Sequence, residues 1–435
     1  MEGNERMKAY CEMTREELLA EKAQLEKEFE ALKAAGISLD MSRGKPAAAQ
    51  LALSDDMMDV LSSESNFKAE DGTECRNYGI VRGLPEARRL MGELVGVSAD
   101  KVTVFGNASL NIMFDTVSHA MVKGVCGGKP WLLQGKVRFL CPAPGYDRHF
   151  KITEYFGIEM ITVPMTPAGP DMDMVEKYVN NDPTVKGIWC VPKYSNPQGY
   201  SYSDETVRRF AALTPAADDF RIFWDNAYAI HHLYEEADRQ DEILEILSAC
   251  EEAGRPDMVY EFFSTSKVTY PGSGISAMAT SANNTADLQK AMTVQTIGHD
   301  KINQLRHVRY FKNLENVKAH MMAQAAIMRP KFEAVEKTLE ESLGGLGIGT
   351  WTKPNGGYFI SFDALPGCAK AIVAKAAEAG VTMTGAGATF PYGRDPEDSN
   401  IRIAPSFPTP EELTEAGRIF VLCVKLVSLE KMLSA

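Results

Sequence analysis

Ser264-Thr265-Ser266-Lys267 directly follows the apolar run Met258–Phe263, which places one lysine and three hydroxyl groups at the end of a predicted buried strand. Upstream, a second apolar run ends in Asp225, and Tyr228 follows three residues later. Burial favours the uncharged form of a lysine amine, and an uncharged amine can attack a carbonyl carbon. A carboxylate beside a heterocycle keeps a ring nitrogen protonated. The two stretches therefore predict one site in which Lys267 and Asp225 act on the same bound molecule.

Length and composition place the chain among ordinary globular proteins. Its 435 residues suffice for two domains or for one large domain with an appendage, and 45% of them are hydrophobic, so we expect a substantial core. Acidic residues outnumber basic ones by 59 to 46, which gives a net charge of -13. An acidic chain without a Lys/Arg-rich block is a poor candidate for binding nucleic acid or an anionic membrane. We therefore expect neither as a partner.

The N-terminus and the cysteines indicate a cytoplasmic protein. The first ten residues are charged and lack the apolar segment of a secretory signal, and no apolar run approaches the roughly 20 residues that span a bilayer. Eight cysteines are scattered without a Cys-x-x-Cys pair, and some, such as Cys141 and Cys190, lie in apolar runs. This usage is typical of reduced thiols in a protein core. The seven histidines show no metal-ligand spacing, so we predict no metal site.

The pattern of apolar and amphipathic segments predicts an α/β fold. Thr14-Arg15-Glu16-Glu17 is a capping box for a first helix, and Gly36 is a plausible end for that helix. From about residue 100, seven short apolar runs alternate with helical segments, which is typical of a mostly parallel sheet covered on both faces. The seven runs are Val102–Phe105, Arg138–Cys141, Met160–Val163, Gly187–Val191, Arg221–Trp224, Met258–Phe263 and Ile275–Thr280.

The C-terminal part of the chain has a different organisation. A single helical segment is predicted from Ile302 to about Leu343, where Gly344-Gly345 ends it. Strands are predicted at Tyr358–Phe362 and Ile401–Ile403, with helices between and after them. This order indicates a second, smaller α+β domain.

Polar and aromatic groups follow five of the predicted strands. In open α/β sheets, ligands gather at the carboxyl ends of the strands. A helix that opens at Ser109 can hold a phosphate with its free backbone N–H groups. The five groups are Gly106-Asn107-Ala108-Ser109, Tyr146, the amide of Asn196, the pair Asp225 and Tyr228, and Ser264 with Lys267. A phosphate cradle, a stacking ring, a carboxylate and an amine together predict pyridoxal phosphate, whose pyridinium ring is an electron sink.

Taken singly, each motif also has an ordinary structural interpretation. Residues 106–109 could form a common strand-to-helix turn, and Asn196-Pro197-Gln198-Gly199 is a favourable turn sequence. Lys267 could lie on the surface, and Arg402, between two isoleucines, could form a structural salt bridge. The order of the motifs along the chain, most of them at the end of a predicted strand, favours the functional interpretation.

This ordered set resembles the fold-type-I, class I/II aminotransferases over nearly the whole chain. The matching motifs are Tyr78…Gly83, Gly106-Asn107-Ala108-Ser109, Asn196-Pro197-Gln198-Gly199, Asp225-x-x-Tyr228, Ser264-x-x-Lys267 and Asn400-Ile401-Arg402. Flanking segments such as Ser42-Arg43-Gly44-Lys45-Pro46 are similar to the divergent bacterial aspartate aminotransferase subgroup Ic. The resemblance implies a mixed, mostly parallel seven-stranded sheet flanked by helices. It also implies an N-terminal segment 1–50 that packs with the small domain, a large cofactor-binding domain 51–320 and a small α+β domain 321–435.

The resemblance also implies a role for each residue of the cofactor site. Lys267 would hold pyridoxal phosphate as a Schiff base and then act as general base and acid. Asp225 would pair with the pyridine nitrogen, Asn196 and Tyr228 would bond the phenolic oxygen, and Tyr146 would stack on the ring. The phosphate would be held by Ala108, Ser109, Ser264 and, from a neighbouring subunit, Tyr78. That last role implies a homodimer with shared active sites.

The substrate is expected to be an amino acid, with a 2-oxo acid as the second substrate. The resemblance implies that Arg402 binds the substrate α-carboxylate as a bidentate fork, with Asn196 and Gly44 beside it. Aspartate and 2-oxoglutarate in a ping-pong reaction are the substrates that the subgroup implies. A second cation for the distal carboxylate is left open among Arg43, Lys45, Lys301, Arg306 and Lys353.

Two alternatives to this activity remain open at this point. A lyase or β-decarboxylase could use the same scaffold, because one carbanion can react in different ways. A non-catalytic, ligand-sensing domain with an aminotransferase-like fold is the other. The chain also departs from the family at one position, because Pro271–Ser276 contains no arginine where the family has one for the phosphate. Lys193, Lys301 and Arg306 are the candidates to replace it.

Overall fold

The computed structural model of the chain describes residues 8–434. The first seven residues of the predicted segment 1–50, and most of the charged start on which the expectation of no secretory signal depends, lie outside the described residues. Within residues 8–434, no helix is both long and apolar enough to cross a membrane.

Thirteen strands in the described residues form three sheets, of which the largest has eight strands in the order β2-β9-β8-β7-β6-β3-β4-β5. The strands are β1 Leu39–Asp40, β2 Val102–Val104, β3 Arg138–Ala143, β4 Glu159–Thr166, β5 Gly169–Pro170, β6 Val185–Cys190, β7 Arg221–Asp225, β8 Val259–Ser264, β9 Ser276–Thr280, β10 Gly349–Trp351, β11 Ile360–Ala364, β12 Val381–Thr382 and β13 Asn400–Ile403. The seven predicted strands are all present, and the two-residue strand β5 adds an eighth at the edge. The predicted α/β fold with a mostly parallel sheet is confirmed.

Thirteen α-helices in the described residues cover the sheets. They are α1 Arg15–Ala34, α2 Ala48–Ala52, α3 Pro85–Val95, α4 Ser109–Lys123, α5 Asp147–Tyr155, α6 Met172–Val179, α7 Asp204–Ala212, α8 Ile246–Glu252, α9 Ala282–Gln295, α10 Lys301–Phe311, α11 Leu314–Leu343, α12 Ala369–Glu378 and α13 Pro410–Ser434. The predicted capping box begins α1, where the Thr14 hydroxyl accepts the Glu17 N–H and the Glu17 carboxylate accepts the Thr14 N–H. Gly36, just beyond the end of α1, has a φ of 66°, which glycine adopts without strain.

Parallel pairing brings the functional loops to one edge of the large sheet. Strands β8, β7, β6, β3 and β4 pair in parallel, and β9 is antiparallel to both of its neighbours. Strand β2 therefore runs in the same direction as β8, and its end is tied to β9 by hydrogen bonds of 2.8 Å between Ser276 and the backbone of Phe105 and Gly106. The loops that follow β2, β3, β6, β7 and β8 consequently meet.

A smaller antiparallel sheet has the order β10-β11-β13, and β1 pairs with β12 in parallel. Strand β13 carries Arg402 opposite Ser361 of β11. Ile401 and Ile403 belong to a hydrophobic cluster with residues of α1, α11 and α13, so Arg402 lies on the other face of its strand.

The prediction of one continuous helix from Ile302 to Leu343 was wrong. Two helices occupy this region, because Lys312 adopts a φ of 67° and ends α10. The Asn313 side chain then accepts the Asn316 N–H and caps the start of α11. The strands Gly349–Trp351, Leu39–Asp40 and Val381–Thr382 were not predicted, because two- and three-residue pairings carry too little periodic pattern.

Candidate active site

A cavity of about 240 Å³ lies at the carboxyl edge of the large sheet, and eight predicted site residues line it. These are Ala108, Ser109, Tyr146, Asn196, Asp225, Tyr228, Ser264 and Lys267. The geometry therefore brings together the groups that follow five different strands. Tyr78, Gly44 and Arg402 are the predicted site residues that do not line it.

One end of the cavity has the character of a phosphate site. Helix α4 begins at Ser109, so its first backbone N–H groups have no carbonyl partner within the helix. The Ser264 hydroxyl donates to the Ser266 hydroxyl over 3.1 Å, and Ser266 in turn donates to the Asn107 carbonyl over 3.1 Å. Amide and hydroxyl donors thus surround the start of the helix, where an anion is favoured.

Asp225 is a buried residue of the cavity lining and is paired with a histidine. The His149 Nε2 and the Asp225 Oδ2 lie 2.9 Å apart, and the His149 ring stacks on Trp189 at a centroid distance of 4.5 Å. Asp225 Oδ1 is buried and has no donor within residues 8–434. A protonated ring nitrogen is a donor of the kind that this oxygen needs, so Asp225 fits the pyridine nitrogen of pyridoxal phosphate.

His149 is a residue of the site that sequence reasoning missed. It lies on the first turn of α5, three residues after Tyr146, and therefore on the same helical face. The three-residue spacing from Tyr146 was the one sequence feature that could have indicated His149. The spacing indicates a site residue only once α5 is known to lie over the end of β7, where His149 contacts Asp225.

Lys267 lines the cavity close to two aromatic rings. Its Nζ is 4.8 Å from the centroid of the Tyr228 ring and 5.7 Å from that of Tyr358. His231 is buried nearby, and burial together with the charge of Lys267 lowers the pKa of His231 to about 3. The His231 imidazole is therefore neutral at physiological pH.

Two tyrosines of the cavity remain protonated over the physiological range. Burial raises the pKa of Tyr146 to about 12, although the charge of Lys267 acts in the opposite direction. Burial also raises the pKa of Tyr228 above its usual value, and the carboxylate of Asp225 adds to that effect. Both phenols can therefore donate a hydrogen bond to an oxygen of a bound molecule.

Arg402 lies beside the cavity and is connected to it through Asn196. Its Nη1 donates to Asn196 Oδ1 over 3.2 Å and to Asp147 Oδ1 over 3.0 Å, and its Nη2 donates to Thr384 Oγ1 over 3.2 Å. The Nε has no acceptor within the described residues. A guanidinium held in one plane by these contacts is well suited to bind a carboxylate.

Gly44 lies close to the same arginine through Phe359. The Arg402 guanidinium carbon is 4.8 Å from the Phe359 ring centroid, and a Cβ on Gly44 would come within 2.3 Å of that ring. The glycine therefore permits the position of the ring that packs against Arg402.

Tyr78 does not line the cavity of its own chain, and it is 81% exposed. Its loop is fixed by Lys301, whose buried Nζ donates to the Gly79 carbonyl over 3.0 Å, and by close packing of Gly298 on Gly79. The exposed side chain of Ile297 precedes that glycine, so Tyr78 and Ile297 lie on neighbouring segments of the surface.

None of the three candidates to replace the missing arginine lines the cavity. Lys301 bonds Gly79, and Arg306 Nη2 donates to Ser273 Oγ over 2.7 Å, within the segment that lacks the arginine. Lys193 lines a different cavity. Of the candidates for a distal carboxylate, Lys353 is paired with Glu340 at 2.7 Å and Lys45 lies over the Phe407 ring. Among the described residues that line the active-site cavity, Lys267 carries the one cationic side chain, and the start of α4 adds free backbone N–H groups.

Comparisons with known proteins agree with this geometry. A family model described as aspartate amino-transferase matches residues 13–435. The chain is 44% identical to an aspartate aminotransferase of Corynebacterium glutamicum, over 93% of each chain, and 43% identical to a putative aminotransferase of Mycolicibacterium smegmatis, over 98% of this chain and 99% of that protein. A solved structure of an aspartate transaminase from Corynebacterium glutamicum superposes with a TM-score of 0.93 at 42% identity, covering 97% of this chain and 98% of that one.

Fold and site together define a fold-type-I aminotransferase. The chain belongs to the aspartate aminotransferase family. The predicted resemblance, the enzymatic activity and the cofactor pyridoxal phosphate are confirmed, and the substrates are amino acids and 2-oxo acids. The ligand-sensing alternative is thereby set aside.

Proposed function

We propose that the protein transfers the amino group of aspartate to 2-oxoglutarate in a ping-pong reaction. The observation that carries this proposal is the presence of Lys267 and Asp225 in one cavity, with Arg402 beside it. The similarity to a Corynebacterium protein named aspartate aminotransferase supports the choice of aspartate.

Each residue of the cavity has a defined task in this proposal. Pyridoxal phosphate, when bound, supplies a carbonyl group and an electron-withdrawing ring. Lys267 Nζ would hold the cofactor covalently and would afterwards move a proton to and from the substrate Cα. Asp225 Oδ1 would accept the ring N–H, and His149 fixes the orientation of that carboxylate. The start of α4 at Ser109, with Ser264, would hold the phosphate.

Substrate binding is assigned to Arg402 and Asn196. Arg402 already binds the Asp147 carboxylate and the Asn196 amide, so its guanidinium is oriented before substrate arrives. The α-carboxylate of an incoming substrate would bind the Arg402 guanidinium through two hydrogen bonds. Tyr146 would stack on the cofactor ring, and the protonated hydroxyl of Tyr228 would donate a hydrogen bond to its phenolic oxygen.

The experiment that tests this function is a single half-reaction. Adding L-aspartate to the holoenzyme should abolish the yellow absorption of the cofactor and release one oxaloacetate per active site. Adding 2-oxoglutarate should then restore the absorption. Absorption spectroscopy and product analysis across a panel of amino acids measure both steps. Release of alanine and CO₂ in place of oxaloacetate would instead indicate a decarboxylase.

We also propose that the active unit is a homodimer in which Tyr78 serves the neighbouring active site. The support is its exposure, because an aromatic side chain that is 81% exposed on a loop fixed by Lys301 is unfavourable in an isolated chain. Exposed Ile297 on the neighbouring segment, with Val294 at the end of α9, adds apolar surface of the kind that subunit contacts cover.

We predict that Tyr78→Ala weakens cofactor binding by about tenfold or more, because a hydrogen bond to a charged phosphate is lost. Tyr78→Ala subunits mixed with Lys267→Ala subunits should regain activity at cofactor concentrations too low for the first variant alone. A hybrid dimer has one site with both native groups if Tyr78 acts in trans. Failure of the hybrid to recover activity, or an active species that sediments as a monomer, would contradict the proposal.

The domain boundaries at residues 50 and 320 and the cytoplasmic location remain part of the proposal. One hydrophobic cluster joins α1, most of α11, the small sheet and α13, whereas two others lie against the large sheet. Six of the eight cysteines are buried as free thiols, the usage expected of a reducing compartment.

A further inference from the structure

A second cavity, of about 370 Å³, is separated from the active site by two chain segments that contribute residues to both. The segment that places Asn196 in the active-site cavity places Lys193 in the second one, and the segment that carries Asp225 places Asn226 there. The end of α3, the segment 240–245 and the first turns of α11 complete the lining. The volume is in the range of small-ligand sites.

Lys193 is the most unusual group of this cavity, because it is a buried cation without a counter-ion. Its exposed fraction is 5%, and within residues 8–434 no carboxylate lies within 4 Å of its Nζ and no hydrogen bond engages it. Burial lowers the pKa of Lys193, Glu242 and Asp241 act in the opposite direction, and Lys318 lowers the pKa further. A buried ammonium group is favourable only when it is paired, so this position favours a bound anion.

His232 adds a hydrogen-bond donor to the same cavity. The Tyr194 hydroxyl accepts the Asp241 backbone N–H over 2.9 Å, and it lies 2.7 Å from His232 Nδ1. Donation of the tyrosine proton to Nδ1 satisfies both groups and leaves the ring proton on Nε2. Burial lowers the pKa of His232 to about 4, so the ring is neutral and Nε2–H acts as a donor.

Asn226 adds a hydrogen-bond acceptor to the same cavity. Its Nδ2 donates to Glu261 Oε1 over 2.9 Å, while its Oδ1 is buried without a donor in the described part of the chain. Asn226 is 6% exposed and lines the cavity. An N–H or O–H group of a bound molecule would satisfy this acceptor.

The remaining charged groups around the cavity are of both signs. Glu93 and Glu242 are exposed at its rim, as is Lys318. The Glu245 carboxylate is already engaged, because it accepts the N–H groups of Leu247 and Ser248 at the start of α8. Acidic groups at the rim disfavour a multiply charged anion and favour a ligand that carries a cation as well.

We propose that this cavity binds a free α-amino acid as a zwitterion, at a site separate from the catalytic one. Its carboxylate lies at Lys193 and the His232 Nε2–H, and its ammonium group donates to Asn226 Oδ1 on the side of Glu242. Binding at this site is distinct from the binding of a substrate for amino-group transfer, because none of these residues lines the active-site cavity.

Calorimetric titration of the Arg402→Met holoenzyme with each of the twenty amino acids tests the proposal. This background removes the group assigned to the substrate carboxylate, and an unchanged cofactor absorption identifies binding outside the catalytic cavity. We expect at least one amino acid to bind once per chain. Adding Lys193→Met should weaken that binding by at least about tenfold, because a charge-assisted hydrogen bond is lost. Lys337→Met, which removes a lysine that is 72% exposed, is the matched control and should leave the affinity unchanged.

Three results would overturn the proposal: no amino acid binds, the Lys193→Met change leaves the affinity intact, or acetate and inorganic phosphate bind as tightly as any amino acid. If the Lys193→Met chain fails to fold, crystals of the wild-type holoenzyme soaked with the amino-acid panel decide, because the ligand must appear between Lys193 and Asn226. These readouts need no turnover, so they remain interpretable if the proposed transamination fails.

Discussion

Replacing Lys267 by alanine should lower kcat for amino-group transfer by on the order of a millionfold, the scale expected when a catalytic nucleophile is deleted. One amine is assigned both the covalent attachment of the cofactor and the movement of the proton at the substrate Cα. Lys267 is the only lysine among the described residues that line the cavity. Steady-state kinetics measure the loss of activity. Mass spectrometry after borohydride reduction should show that the variant, unlike the native chain, has gained no cofactor mass.

Lys267→Arg is the informative companion to that variant. Arginine keeps the positive charge and similar length but does not lose its proton, so it should be as inactive as alanine if amine chemistry is what matters. Lys337→Ala should retain full activity, because that side chain lies on the exposed face of α11. More than about one per cent of native activity in Lys267→Ala would contradict the assignment, since it would exceed the expected residual rate by about ten-thousandfold.

The fold and the main site residues could be predicted because buried parallel strands leave a strong signal. The central strands β6, β7 and β8 are buried along nearly their whole length, and the carboxyl ends of such parallel strands meet at one edge. Asp225 and Lys267 were therefore predicted to meet, and both line the same cavity. The bounds were less accurate, as β11 begins at Ile360 rather than at Tyr358.

Residues whose role depends on packing between elements could not be predicted. In the sequence, His149 is one histidine on an ordinary helical turn. Its contact with Asp225 depends on the packing of α5 over β7, which the sequence pattern does not indicate. Lys193 was a candidate to replace the missing phosphate-binding arginine, yet it lines the second cavity, whereas Asn196 of the same segment lines the active site. The break at Lys312 depends on a positive φ that lysine seldom adopts, so no local pattern indicates it.

Asp225→Asn should lower kcat by about a thousandfold with little change in expression or fold, because a preorganised charge opposite the developing charge is lost. The amide is almost isosteric and can still accept a hydrogen bond from His149. It presents an N–H, however, where the carboxylate oxygen Oδ1 would accept one, so it pairs with an unprotonated ring nitrogen and weakens the electron sink. Pre-steady-state absorption of the aspartate half-reaction separates this loss from any change in KM.

Asp287→Asn provides the matched control for Asp225→Asn, because Asp287 is also a buried carboxylate paired with a histidine. Its Oδ2 lies 3.1 Å from His119 Nε2, outside the active-site cavity. Loss of this pair should lower the free energy of unfolding while the half-reaction of the folded holoenzyme keeps its native rate. An Asp225→Asn enzyme that turns over within about tenfold of the native rate would show that the ring nitrogen does not need its negative partner. If both variants lost the same fraction of the half-reaction rate, the rate would depend on the presence of a buried His–Asp pair and not on the position of Asp225 beside the cofactor.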